Sequence, residues 1–146
     1  MKKKKTLFFG AATALITPMN DDLSVDFGAF ERLIDFQIDS GINALLVLGT
    51  TGEASTLTDD ERKKITLFAA EKVSGRVPLI VGAGSNDTRR AVAFSSFAAK
   101  NGADAVLSVT PYYNKTSQEG LIKHYEFINN NASTPIIVYN VPSRTG

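Results

Sequence analysis

The chain contains no cysteine, which excludes disulfides, a thiolate nucleophile and cysteine-ligated zinc. It has a single histidine, His124, so no histidine-rich metal site can be built within these residues. No apolar run approaches the roughly 20 residues needed to span a bilayer, and no membrane partner is expected. A dominant charge is also missing. The net charge is +1, much of the positive charge sits in Lys2–Lys5, and the remainder is mildly acidic. No long-range field selects nucleic acid. What is present is ordinary for a globular protein: 146 residues, 43% hydrophobic and 21% charged, enough for one domain or part of a larger one.

The opening needs separate treatment. Lys2–Lys5 followed by the apolar stretch Leu7–Ile16 has the layout of a signal peptide. Thr17-Pro18 closes that stretch without a convincing cleavage site, and the same residues serve as a first buried strand. The lysines are expected as a solvated tail.

The most informative stretch is Leu45-Leu46-Val47-Leu48-Gly49-Thr50-Thr51-Gly52-Glu53. An unbroken apolar run reads as a strand buried on both faces of a parallel sheet. Gly49 and Gly52 are expected to let the chain turn sharply there and expose backbone N–H groups. Thr50 and Thr51 then stand where a buried strand emerges, which is where βα-repeat proteins keep their chemistry.

The rest of the chain repeats the pattern. Strands are predicted at Phe8–Ile16, Ala44–Leu48, Leu79–Gly82, Ala105–Val109 and Ile136–Tyr139. Helices fall between them. Asp26 caps Phe27–Ser40, whose stripe is Phe27, Phe30, Leu33, Ile34 and Ile38, and Gly41 ends it. Thr58 and Glu61 have capping-box spacing and start the second helix, which carries Ile65, Phe68, Ala69 and Val73 inward. Asn86-Asp87-Thr88 caps the third, with Ala91, Val92, Phe94, Ser95 and Ala98 inward. Ser117 caps the fourth, with Leu121, Ile122, Tyr125 and Ile128 on its stripe and His124 at its boundary. After Tyr139 the residues read as loop. Strand starts recur at about 30 residues, the size of a βα unit. Two architectures fit: an open doubly wound sheet, or about half of an eight-stranded βα barrel, which typically needs about 250 residues.

The strand C-terminal ends carry Thr17, Thr50, Thr51, Ser85, Thr110, Tyr112, Tyr113, Tyr139, Asn140 and Arg144. In a parallel βα fold these share one rim. The set holds hydroxyls, phenols and one guanidinium, with Glu53 the only nearby carboxylate. No carboxylate pair suits glycoside hydrolysis, and no histidine sits beside a serine for a triad. Gly82-Ala83-Gly84-Ser85 lacks the lysine and spacing of a P-loop. Phenols and hydroxyls in a chain relay protons, and an arginine in a glycine- and proline-rich loop suits a carboxylate. The chemistry indicated is proton transfer around a small carboxylic acid.

Three motifs then occur in order: Gly49-Thr50-Thr51-Gly52-Glu53, Thr110-Pro111-Tyr112-Tyr113-Asn114, and Tyr139-Asn140-Val141-Pro142-Ser143-Arg144-Thr145-Gly146. Together with Gly10–Pro18 they resemble the 4-hydroxy-tetrahydrodipicolinate (dihydrodipicolinate) synthases of the class I pyruvate-dependent aldolase superfamily, over essentially the whole chain. The resemblance implies a (β/α)8 TIM barrel of which residues 1–146 are the N-terminal part, strands 1–5 and helices 1–4. It implies a cytoplasmic lyase that condenses pyruvate with L-aspartate 4-semialdehyde on the route to diaminopimelate and lysine. Thr50, Tyr113 and Tyr139 match the family's catalytic proton relay, Thr51 the holder of the pyruvate carboxylate, and Arg144 the receiver of the semialdehyde carboxylate. The position of Tyr113 is one that family members donate across a dimer interface, so a homodimer or homotetramer is implied. No metal or separate cofactor is implied, because pyruvate is held as a Schiff base on a lysine.

That lysine belongs on a sixth strand, beyond Gly146. Lys63, Lys64, Lys72, Lys100 and Lys123 fall on helices and Lys115 in a loop, so this polypeptide alone is expected not to turn over. Inhibitable members hold lysine with a carboxylate where this chain has Arg90 and often a histidine where it has Arg62, so feedback is expected to be weak. The alternatives are another pyruvate-dependent aldolase, either an N-acetylneuraminate lyase or a keto-deoxy-sugar-acid aldolase, and a non-catalytic, self-associating half-barrel. The Ser-Arg-Thr-Gly ending and the paired tyrosines favour the synthase.

Overall fold

The computed structural model describes residues 6–146; the Lys2–Lys5 tail lies outside the described residues. Five strands alternate with five helices: β1 (Ala12–Ala14), α1 (Phe27–Asp39), β2 (Ala44–Val47), α2 (Asp59–Val73), β3 (Leu79–Gly82), α3 (Thr88–Lys100), β4 (Ala105–Val109), α4 (Gln118–Asn131), β5 (Ile136–Tyr139) and α5 (Pro142–Thr145). All strand pairs are parallel, and the sheet order is β1-β2-β3-β4-β5. A doubly wound sheet would reverse its order at a switch point. This one runs in sequence, as the wall of a βα barrel does, and the fold is that of about half a (β/α)8 barrel.

Strand alternation gives the sheet two apolar faces. Leu45, Val47, Leu79, Val81 and Val106 pack with the helices around Phe30, Ile34, Ile65, Ala69, Val73 and Phe94. Ala44, Ile80 and Ala105 form the opposite, lumen-side cluster, with Leu46, Leu107 and Ile137 packed against it. Burial on both faces explains why the strands read as apolar runs rather than as alternating patterns.

Local chemistry sets the boundaries. The Asp26 carboxylate accepts the Ala29 N–H at 2.8 Å and starts α1. At α2 the capping box is complete: the Glu61 N–H donates to Thr58 Oγ1 and the Thr58 N–H donates to Glu61 Oε2. Asp87 and Ser117 cap α3 and α4.

Four expectations change. The first strand is three residues rather than Phe8–Ile16, because Gly10 takes a left-handed φ of 110° and breaks the extended run, leaving Phe9 exposed. The second ends at Val47, since Leu48 already turns with φ 58°. Ile122 is exposed and His124 buried, because the buried stripe of α4 runs through His124 and Ile128, four residues apart, and leaves Ile122 on the outer side. Finally, Pro142–Thr145 form one helical turn rather than loop, closed by the Arg144 and Thr145 N–H groups on the Val141 carbonyl.

Candidate active site

The β2–α2 connection turns differently from the sequence expectation. The left-handed residues are Leu48 (φ 58°) and Glu53 (φ 53°), not Gly49 or Gly52. The glycines supply room instead. A side chain at Gly52 would come 3.1 Å from the Leu15 carbonyl and 3.4 Å from Thr17 Oγ1. Thr17, buried three residues past β1, donates its hydroxyl to the Gly52 carbonyl at 2.7 Å and clamps the turn. A Cβ at Gly82, the last residue of β3, would strike the Leu48 carbonyl, and one at Gly84, just beyond it, the Val109 N–H. The strand ends of β2, β3 and β4 can therefore close together over backbone alone.

Above them lies a cleft of about 330 Å³ lined by Thr50, Ser55, Arg62, Tyr112, Tyr139 and Arg144 among others. Thr50, from one predicted motif, and Tyr139 and Arg144, from another about 90 residues later, meet here. No carboxylate lines the cleft among the described residues, and two guanidinium groups do. It is equipped for an anionic ligand and for proton transfer through hydroxyls.

Other rim residues lie elsewhere. Thr51 is exposed and outside the cleft lining, as is Asn140. Tyr113 is 95% exposed, with φ 68°. Ser85 lines a smaller neighbouring pocket with Asp59, Arg62, Lys63 and Arg90. Thr110 is buried; its N–H and hydroxyl both donate to the Tyr139 carbonyl, at 2.9 and 3.3 Å, so it fixes the backbone from which Tyr139 projects. No cluster of potential metal ligands occurs among the described residues.

Arg62 is the cleft residue that motif reading misses. It lies in the first turn of α2, which follows β2 and so opens at the rim, and that position is the signal that could have found it. Its guanidinium sits 4.1 Å from the centre of the Phe94 ring and 3.7 Å from the Asp59 carboxylate. Burial disfavours its charge, which Asp59 and Tyr112 counteract. Arg90 is exposed and its Nη2 donates to both Asp59 oxygens at 3.1 Å.

His124, expected at the edge of the apolar stripe of α4, is 6% exposed. Its Nδ1 is 2.8 Å from Thr88 Oγ1, and burial pushes its pKa below the ordinary histidine value. The unfolded chain therefore binds this proton more readily than the folded one. Stability should be full at neutral pH and fall as the pH drops through about 6.5 toward the lower folded value. Because this is the chain's single histidine, Tm measured between pH 7 and 5 should lose most of its slope in His124→Leu.

A profile of the dihydrodipicolinate synthetase family matches residues 7–146. The chain belongs to the dihydrodipicolinate synthetase family. A 4-hydroxy-tetrahydrodipicolinate synthase from Kosmotoga olearia is 54% identical over 140 residues, which are 96% of this chain and 47% of that protein. Among solved structures, the chloride-inhibited dihydrodipicolinate synthase of Acinetobacter baumannii complexed with pyruvate superposes with a TM-score of 0.94 at 44% identity, over 97% of this chain and 48% of that one. The Thermotoga maritima dihydrodipicolinate synthase gives 0.93 at 48% identity, over 97% and 48%. The chain thus spans about half the length of the family members it matches. No helix among the described residues is long and apolar enough to cross a membrane.

Proposed function

We propose that the full-length protein is a 4-hydroxy-tetrahydrodipicolinate synthase, and that residues 1–146 are the N-terminal part of its single catalytic barrel. In this reading a lysine outside these residues condenses with the pyruvate ketone, releasing water and forming an imine. The imine's carbanion equivalent then attacks the aldehyde of L-aspartate 4-semialdehyde. Thr50, Tyr113 and Tyr139 carry protons; Thr51 holds the pyruvate carboxylate through its hydroxyl and amide; Arg144 receives the semialdehyde carboxylate. The observation that carries the reading is the meeting of Thr50, Tyr139 and Arg144 in one cleft that no carboxylate lines. The high exposure of Tyr113 supports its delivery to a neighbouring subunit in a homodimer or homotetramer.

Lysine placement supports a donor outside this stretch. Lys63, Lys64 and Lys72 lie on α2, Lys100 on α3 and Lys123 on α4, and Lys115 is in the exposed β4–α4 loop. None of these described lysines ends a strand, where a desolvated amine of lowered pKa could form. Borohydride reduction in the presence of pyruvate, read by mass, should trap a pyruvyl adduct on the full-length enzyme and none on the 146-residue polypeptide. Absence of an adduct on the full-length enzyme would overturn the assignment. Faster turnover with a keto-deoxy-sugar acid or N-acetylneuraminate than with the semialdehyde would transfer it to a sister aldolase.

Arg90 also bears on regulation. A guanidinium there repels an effector's ammonium group, and the bifurcated bond from its Nη2 to both Asp59 oxygens occupies the nearby carboxylate. Titrating L-lysine against the full-length enzyme should leave turnover essentially unchanged.

A further inference from the structure

The start of the β4–α4 loop is fastened by Tyr125 of α4, and the preceding residue, His124, ties α4 to α3. At the loop's start, the Tyr125 phenol donates to the Ser108 carbonyl at 3.3 Å and lies 3.2 Å from Thr110 Oγ1. One residue earlier, His124 bonds Thr88, the first residue of α3, and its ring meets that of Tyr125 edge-on at 5.2 Å. Farther along the loop, Asn114 Nδ2 donates to the Asn86 carbonyl at 3.3 Å. Between these fastenings stand Tyr112 and Tyr113, both exposed. Tyr113 holds φ 68°, a left-handed conformation that a bulky residue keeps only when its surroundings impose it.

We propose that His124 is a positioning residue for this loop: by latching α4 onto the first residue of α3, and through its contact with Tyr125, it holds Tyr113 in its left-handed conformation. A core role alone does not account for an imidazole here. Leucine would fill similar space, whereas the imidazole leaves a buried Nε2 with no partner among the described residues, a destabilising arrangement. What the imidazole adds is the Nδ1 bond to Thr88 across the helix pair. The functional consequence rests on the catalytic reading of Tyr113.

The test uses the full-length enzyme carrying His124→Leu or, from the other side of the same bond, Thr88→Val. Amide exchange across residues 112–116 should rise about tenfold in both variants while β3 and β4 remain protected. Turnover should fall about tenfold to a hundredfold, up to the scale of a catalytic group misplaced by about 1 Å, with KM for pyruvate unchanged within about twofold. His124→Asn, which can place a side-chain amide atom near the position of Nδ1, should restore both loop protection and turnover. In a Tyr113→Phe background, His124→Leu should cause no further loss of turnover, because the effect acts through that phenol. Unchanged exchange of the loop in both variants would overturn the proposal. Faster exchange with unaltered turnover would uphold the latch and overturn the catalytic reading of Tyr113.

Discussion

Gly82→Ala is expected to be among the most damaging single-atom-scale changes in this chain. The added methyl would occupy the space of the Leu48 carbonyl and crowd the Gly49 nitrogen at 3.1 Å. Neither can retreat cheaply. Leu48 and Gly49 follow directly on β2, whose Val47 is in register with Val81 of β3. Moving them apart opens the sheet where three strand ends converge. Overpacking a tight core costs about 1–3 kcal/mol when side chains can yield; here the obstacle is main chain, so about 3 kcal/mol or more is expected. That is a large part of the 5–15 kcal/mol typical of a domain. Urea unfolding should show the midpoint falling with little change in slope. Gly28→Ala is the matched control. It sits inside α1, where a Cβ would make only ordinary contacts at 3.4–3.5 Å, and relief of glycine's backbone entropy should stabilise by about 0.5–1 kcal/mol. Equal effects of the two substitutions would show that the close approach at Gly82 is not a constraint.

Tyr139→Phe in the full-length enzyme should lower kcat by about 10²–10⁴, the range for loss of a general acid–base group. The substitution removes one oxygen. The backbone bonds from Thr110 to the Tyr139 carbonyl do not involve the phenol and remain, so the fold should be unaltered by circular dichroism. Tyr139 lines the cleft that also holds Thr50 and Arg144, and on the proposed function the loss should fall mainly on the proton-moving steps. Tyr112→Phe tests specificity. Tyr112 lines the same cleft but has no role in the proposed relay, so its loss should cost less than about tenfold. A Tyr139→Phe enzyme with normal kcat would remove this residue from the chemistry.

Most of this fold is readable from the chain, and the reasons are local. β3, β4 and β5 begin and end where apolar runs meet Pro78, Gly82, Thr110-Pro111 and Pro135. Asp26, Thr58, Asp87 and Ser117 advertise their helices through short side-chain oxygens that satisfy exposed N–H groups. The order of the strands is not local and left two architectures open until the register was known. The meeting of Thr50, Tyr139 and Arg144 follows once the strands are parallel. Arg62 is singled out in the sequence only for feedback; its place in the cleft is hidden because it belongs to no rim motif and reaches the cleft from a helix. His124 was misplaced because periodicity treats histidine as polar, whereas here one ring nitrogen is bonded to Thr88 and the ring is buried at the α3–α4 contact. The glycine turn was right in place and wrong in mechanism: the unusual torsions belong to Leu48 and Glu53, and the glycines make space.

The glycine floor under the cleft has a consequence for how specificity could diversify. Gly82 and Gly84 press main chain against main chain, leaving almost no side-chain vocabulary at the base. Selection for a new substrate would have to act on the rim, by exchanging residues such as Ser55, Arg62, Tyr112 or Arg144, while the base stays frozen. A library confined to those upper positions should yield folded, altered enzymes far more often than one that also varies the base.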